Sequence, residues 1–89
     1  MILTPKQTNQ FLRDARKAGK RGKNLAKLET AVRLIAEREA LPARYRDHAL
    51  TGNWKGHREC HIEPDWLLVY RLEENNLILE RTGSHSDLF

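Results

Sequence analysis

The sequence predicts an α+β domain in which two N-terminal antiparallel helices pack on a small, mainly antiparallel sheet. A change of pattern leads there: apolar residues recur every three or four positions as far as Ile35, whereas from Arg58 onward they alternate every two. Turn-forming pairs, Pro64-Asp65 and Asn75-Asn76, then divide the later runs into strands of hairpin length. At 89 residues the chain has the length of a single domain, spanning 1–89, with no internal repeat or low-complexity tract.

Thr4-Pro5-Lys6-Gln7 reads as an N-cap, a proline at the first helical position and a capping-box glutamine, which predicts a helix from Pro5 to about Ala18 behind a short strand at Ile2 and Leu3. Phe11, Leu12, Ala15 and Ala18 supply its apolar face, and Gly19 offers a stop. A second series, Leu25, Leu28, Val32 and Ile35, predicts another helix, joined to the first near Gly19 to Gly22 and broken by Leu41-Pro42. Residues 43–56 read as a loop. Arg58, Cys60 and Ile62 then alternate with Glu59, His61 and Glu63 in a first strand, and the mostly apolar run Trp66 to Leu72 suits a central strand. Leu77 to Thr82 forms a third, ending at Gly83. The helix pair is expected to cover one sheet face and leave the other partly concave and wet, with function on that side or its rim.

Lys+Arg 16 against Asp+Glu 12 gives a net charge of +4, and with a pI near 9.6 this favours a polyanionic partner, nucleic acid or an acidic protein. Arg13, Arg16, Lys17, Lys20, Arg21, Lys23 and Lys27 form a basic band at the helix junction. It is either a solvated helix face or a surface for RNA or an acidic partner, and Lys55 in the loop is grouped with it as an RNA contact. Cys60 is alone, which excludes an intramolecular disulfide and a cysteine-based zinc site and fits a reducing cytoplasm. No run of about 18 apolar residues and no signal-peptide pattern is present, so a cytoplasmic protein with no membrane partner is expected.

The chemistry-bearing residues gather late in the chain: His48, His61, Asp65, Arg81 and His85, followed by the terminal Phe89. Cleaving RNA without a metal needs a base for the ribose 2′-hydroxyl proton, an acid for the departing 5′-oxygen and a cation for the crowded phosphate. Histidine suits both proton roles because its unperturbed pKa lies near 6.5, and the planar fork of arginine fits two phosphate oxygens. Each residue also has a plainer use. Asp65 follows a proline, where aspartate often only bonds the turn backbone, and Arg81 has Glu63 and Glu80 as candidate ion-pair partners. His48, His61, Asp65 and His85 could ligate a metal, but no tight spacing such as HxxxH supports it, and neither metal nor cofactor is called for. Trp66 is expected in the core, Trp54 in the core or on a base, and Phe89 on the sheet or on a nucleobase. His57 has no clear partner and stays outside the site.

Three runs together resemble one family: Asp47-His48-Ala49-Leu50-Thr51-Gly52-Asn53-Trp54-Lys55-Gly56, His61-Ile62-Glu63-Pro64-Asp65-Trp66, and Arg81-Thr82-Gly83-Ser84-His85-Ser86-Asp87-Leu88-Phe89. They resemble the YafQ branch of the RelE/ParE toxin superfamily, in detail over the C-terminal half and in length and element order over the rest. The resemblance implies a RelE-like fold and a toxin of a type II toxin-antitoxin module: a ribosome-dependent endoribonuclease that cuts messenger RNA at the decoding site. Its partners would be a cognate antitoxin, the ribosome and mRNA, with the toxin monomeric inside the toxin-antitoxin complex. The family's functional set falls on His48, His61, Asp65, Arg81, His85 and Phe89, with His85 leading the proton transfer and Arg81 on the scissile phosphate. Ala49 and His57 depart from the family's frequent proline and aromatic. Two other readings stand beside it: a noncatalytic ParE-like toxin acting on a target such as DNA gyrase, and a nucleic-acid binding module without chemistry.

Overall fold

The computed structural model describes residues 2–89. Its elements are β1 (Thr4–Gln7), α1 (Asn9–Lys20), α2 (Leu25–Ala36), β2 (His48–Ala49), β3 (Arg58–Glu63), β4 (Trp66–Glu73), β5 (Asn76–Gly83) and α3 (His85–Leu88), with short 3-10 turns at Ala43–Tyr45 and Gly52–Trp54. The sheet runs β1-β5-β4-β3-β2, with β1 parallel to β5 and every other pair antiparallel. No helix among the described residues is long and apolar enough to cross a membrane.

The first helix starts later than the sequence suggests. Thr4-Pro5-Lys6-Gln7 is an edge strand paired with Asn76 to Leu79, and the cap is Thr8, whose hydroxyl accepts the Phe11 amide at 3.0 Å. The pairing partner lies some seventy residues downstream, so no local signal reports it, and the missing N–H of Pro5 is tolerated at a sheet edge. Leu3, buried, is fixed just before β1 by its amide bond to Ala36 at 2.7 Å. At the helix junction Gly22 takes a φ of 84°, a left-handed conformation, and the Lys23 amide closes on the Ala18 carbonyl at 3.1 Å.

β4 is buried on both faces, as befits a central strand. Trp66, Leu68 and Tyr70 join Phe11, Leu28, Ala31, Ile35, Cys60, Leu77 and Leu79 beneath the helices. Burial pushes the Cys60 thiol up to about 12, with the Asp47 and Glu59 carboxylates adding to it, so the sulfur stays an unreactive thiol. The opposite face is not an open wet surface. Leu67 and Val69 are fully buried there under Leu88 of α3, with Leu50 and Trp54 packed around them. The loop predicted at 43–56 and the C-terminal residues thus form a second, smaller core, which leaves the polar residues at its rim.

Thr82 locks β5 to β4. Its hydroxyl accepts the indole N–H of Trp66 at 2.9 Å and donates to the Leu67 carbonyl at 2.7 Å, all buried. Thr82→Val keeps the shape but orphans the indole donor, an expected loss of about 1–3 kcal/mol. That predicts a melting temperature lower by at least ~4 °C, and an unchanged melting curve would show that this bond contributes nothing.

Candidate functional site

The rim of the smaller core collects the titratable residues. β3 carries Glu59 and His61 two positions apart, hence on one face, opposite Val69 and Leu67 of β4. β2 brings His48 directly across from Glu59. The turn at Pro64-Asp65 delivers a carboxylate to the start of α3, where His85 is the first helical residue.

α3 is placed by the sequence Arg81-Thr82-Gly83-Ser84-His85. Ser84 caps the helix in a reciprocal box: its hydroxyl accepts the Asp87 amide at 3.2 Å, and its own amide donates to Asp87 Oδ2 at 2.9 Å. Gly83 is required for this approach, since a Cβ there would lie 3.0 Å from the Asp87 Cβ. Arg21 then clamps Asp87 at 2.6 Å. That ion pair, with the Ser84 bonds, holds the Asp87 carboxyl far below the usual carboxylate range.

His85 is oriented by Asp65. One carboxylate oxygen accepts both the His85 amide at 2.9 Å and its ring Nδ1 at 2.7 Å. These two bonds, the amide first, hold the Asp65 carboxyl below its ordinary value. Facing an ionised acceptor, Nδ1 carries the hydrogen, and Nε2 is the nitrogen left to exchange a proton. The His61 ring lies 5.7 Å from that of His85, centroid to centroid. His48 faces the Arg46 carbonyl through Nδ1 at 2.7 Å and Glu59 through Nε2 at 3.0 Å. Both its nitrogens therefore face oxygen acceptors, a backbone carbonyl on one side and the Glu59 carboxylate on the other.

Glu59 is the member that the sequence reading missed. It is only 6% exposed, and its Oε1 is buried without a hydrogen-bond partner. Ligand atoms of Glu59, His61 and His85 all lie within 4.8 Å of one another. These three, rather than the quartet with His48 and Asp65, form the grouping that fits a transition-metal ion: two imidazoles and a carboxylate, one oxygen of which is buried and unsatisfied. The only signal for Glu59 was its period-two spacing from His61.

The other predicted residues are held by partners outside this cluster. Arg81 is paired with neither Glu63 nor Glu80. Its Nε donates to Asp14 Oδ2 at 2.7 Å and its Nη2 to Oδ1 at 3.3 Å. Phe89 is 57% exposed and packs edge-on against Trp54 at 5.8 Å. His57, left outside the site, bonds Glu80 at 3.0 Å and meets Trp54 in a T-shaped contact at 5.3 Å, adding to that aromatic group.

The basic band is partly neutralised. Lys17 and Arg21 pair with Asp87, and Lys23 and Lys27 with Glu63. Arg13 bonds Gln10, whereas Arg16, Lys20 and Lys55 are exposed and make no ion pair among the described residues. Two unpredicted cations, Arg44 and Arg46, line one recess with His61. A second recess holds Asp65 between Arg21, Lys23 and Ser84.

A small α+β domain with a histidine-carboxylate rim and flanking cations matches a known class. The sequence-family model described as "Bacterial toxin of type II toxin-antitoxin system, YafQ" matches residues 3–89. The chain belongs to the YafQ family of these toxins. It is 45% identical over 83 residues to the Escherichia coli K12 protein named mRNA interferase toxin YafQ, covering 92% of this chain and 90% of that one. The toxin in the crystal structure of the E. coli DinJ-YafQ toxin-antitoxin complex superposes with a TM-score of 0.91 at 41% identity, over 100% of this chain and 99% of that one. A metal-bound toxin from Helicobacter pylori gives the same TM-score of 0.91 at 41% identity, over the full length of both chains.

The buried carboxylate of Asp14 has a consequence for pH. Burial opposes its ionisation, but hydrogen bonds from Arg81, Gln10 and the Thr82 amide outweigh it and hold the carboxyl below its ordinary value. The unfolded value is near 3.9, so the stabilisation is complete above that pH and is lost as pH falls through the lower native value. In acid titrations followed by tryptophan fluorescence, stability should fall more steeply below about pH 4 in the parent than in Asp14→Asn. Equal slopes would remove Asp14 from the acid transition.

Proposed function

We propose that this chain is an mRNA interferase: an endoribonuclease toxin that cuts messenger RNA in the ribosomal A site and so inhibits translation. The observation that carries the reading is the convergence of His85, held by Asp65, with His61 and the His48–Glu59 pair at one rim of the sheet. The YafQ membership and the name of the E. coli relative support it.

The reaction moves two protons. One leaves the ribose 2′-hydroxyl as its oxygen attacks the adjacent phosphorus; the other joins the 5′-oxygen as the P–O bond breaks, leaving a 2′,3′-cyclic phosphate. His85 Nε2 and the His48–Glu59 pair supply the two capacities, with the His61 ring beside that of His85. Arg81 meets the phosphate charge. Phe89, backed by Trp54, stacks on a base, and Arg44, Arg46, Arg16, Lys20 and Lys55 contact phosphates of mRNA or ribosomal RNA. The toxin acts in the cytoplasm, and a cognate antitoxin keeps it silent, binding as an acidic partner to a basic toxin. A DinJ-YafQ complex from E. coli supports that partnership.

We read the reaction as metal-independent, because side chains fill every proton-transfer role. A transition-metal ion held by Glu59, His61 and His85 would supply Lewis acidity, but it would occupy the nitrogens that the proton transfers need. Cleavage is therefore expected to survive EDTA and to fall at least ~10-fold in micromolar Cu²⁺ or Zn²⁺. Loss of activity in EDTA, restored by metal, would reverse that assignment.

Mapping mRNA ends on programmed ribosomes, beside a ribosome-free control, tests the main reading. Cuts at the decoding site should fall by ~10²–10⁴ in His85→Ala. Toxicity without cuts would favour a noncatalytic toxin.

A further inference from the structure

We propose that Asp14 is the positioning residue for Arg81: it grips one edge of the guanidinium and thereby presents the other edge to the scissile phosphate. The inference rests on the reading of Arg81 as the phosphate ligand.

α1 should be apolar on its inner face, yet the residues buried there are Phe11, Asp14 and Ala18. A carboxylate in that position is costly unless its oxygens are filled. Here they are. Asp14 Oδ2 accepts Arg81 Nε at 2.7 Å and the Thr82 amide at 3.2 Å; Oδ1 accepts Arg81 Nη2 at 3.3 Å and the Gln10 amide group at 3.0 Å.

A guanidinium carries its five N–H donors in a fixed plane. The bonds to Asp14 consume the Nε–Nη2 edge. The Nη1–Nη2 edge, with two parallel N–H groups, keeps its donors, and that edge has the spacing of two phosphate oxygens. The side chain is 27% exposed, so an incoming anion can reach it. The same carboxylate holds the Thr82 backbone, and the Thr82 side chain is locked by Trp66. Arg81 is therefore aimed by a helix, a strand and a buried indole together rather than by its own torsions. His85 follows four residues later, after the Gly83-Ser84 turn, as the first residue of α3, so the placement of β5 that Asp14 fixes is passed on to the proton-transfer residue.

Asp14 also partly neutralises Arg81. If it acted only as a neighbouring charge, removing it would strengthen RNA binding and leave turnover intact. Positioning requires the opposite: turnover falls while binding is little changed.

The test is single-turnover cleavage of mRNA on programmed ribosomes by the parent chain, Asp14→Ala, the isosteric Asp14→Asn, Arg81→Ala and the Arg81→Ala/Asp14→Asn double variant, each with its melting temperature recorded. The expected result is a 10- to 100-fold loss of rate at saturation in the Asp14 variants, KM within ~3-fold, and no further loss when Asp14→Asn is added to Arg81→Ala. Should Asp14→Ala fail to fold, Asp14→Asn carries the comparison. The proposal is overturned if Asp14→Asn melts lower but cleaves at the parent rate, or if it costs the same factor with and without Arg81, since both describe a purely structural carboxylate. Parent-like cleavage by Arg81→Ala would instead remove Arg81 from the phosphate, and this role of Asp14 with it.

Discussion

The carboxylate of Asp14 ties the helical layer to the strand that delivers the site. It lies on the inner face of α1, where an unpaired charge would be untenable, and it is satisfied because β5 supplies a guanidinium and a backbone amide at that level, beside the Gln10 amide group of its own helix. The register of α1 against β5 is thereby fixed by hydrogen bonds as well as by the packing of Phe11 and Ala18. Everything beyond that point in β5, including the Gly83 approach and the Ser84 cap, inherits the placement.

The two faces of the sheet divide the work. The helix side holds the large core and provides stability. The other side is dry in the middle, under Leu88 and Trp54, and polar at the rim. Packing α3 over Leu67 and Val69 is what lifts His85 into contact with Asp65 and toward His61. The rim tolerates a buried carboxylate with an unpartnered oxygen, an arrangement that serves stability poorly and is common where charge must be available for chemistry or ligation.

Electrostatics is more local than the net charge implies. Asp87 and Glu63 each gather two cations from the helix junction, stitching α1 and the start of α2 to α3 and β3. Exposed pairs of this kind contribute little individually. Their effect is to leave a smaller set of unpaired cations facing outward, while Arg44 and Arg46 line a recess with His61.

The sequence by itself determined the α+β class, the central strand Trp66 to Leu72, the core role of Trp66 and the family, because these rest on periodicity and on motif residues adjacent in the chain. It named His48, His61, Asp65 and His85, since histidine and aspartate declare their chemistry by type. It misread Thr4-Pro5-Lys6-Gln7 as a helix start, missed Asp14 and Glu59, and assigned Arg81 the wrong neighbours. Each of those depended on a partner far along the chain: β5 for β1, Arg81 for Asp14, His48 and His85 for Glu59. A carboxylate shows its role only through what is packed against it, and that the tertiary structure alone decided.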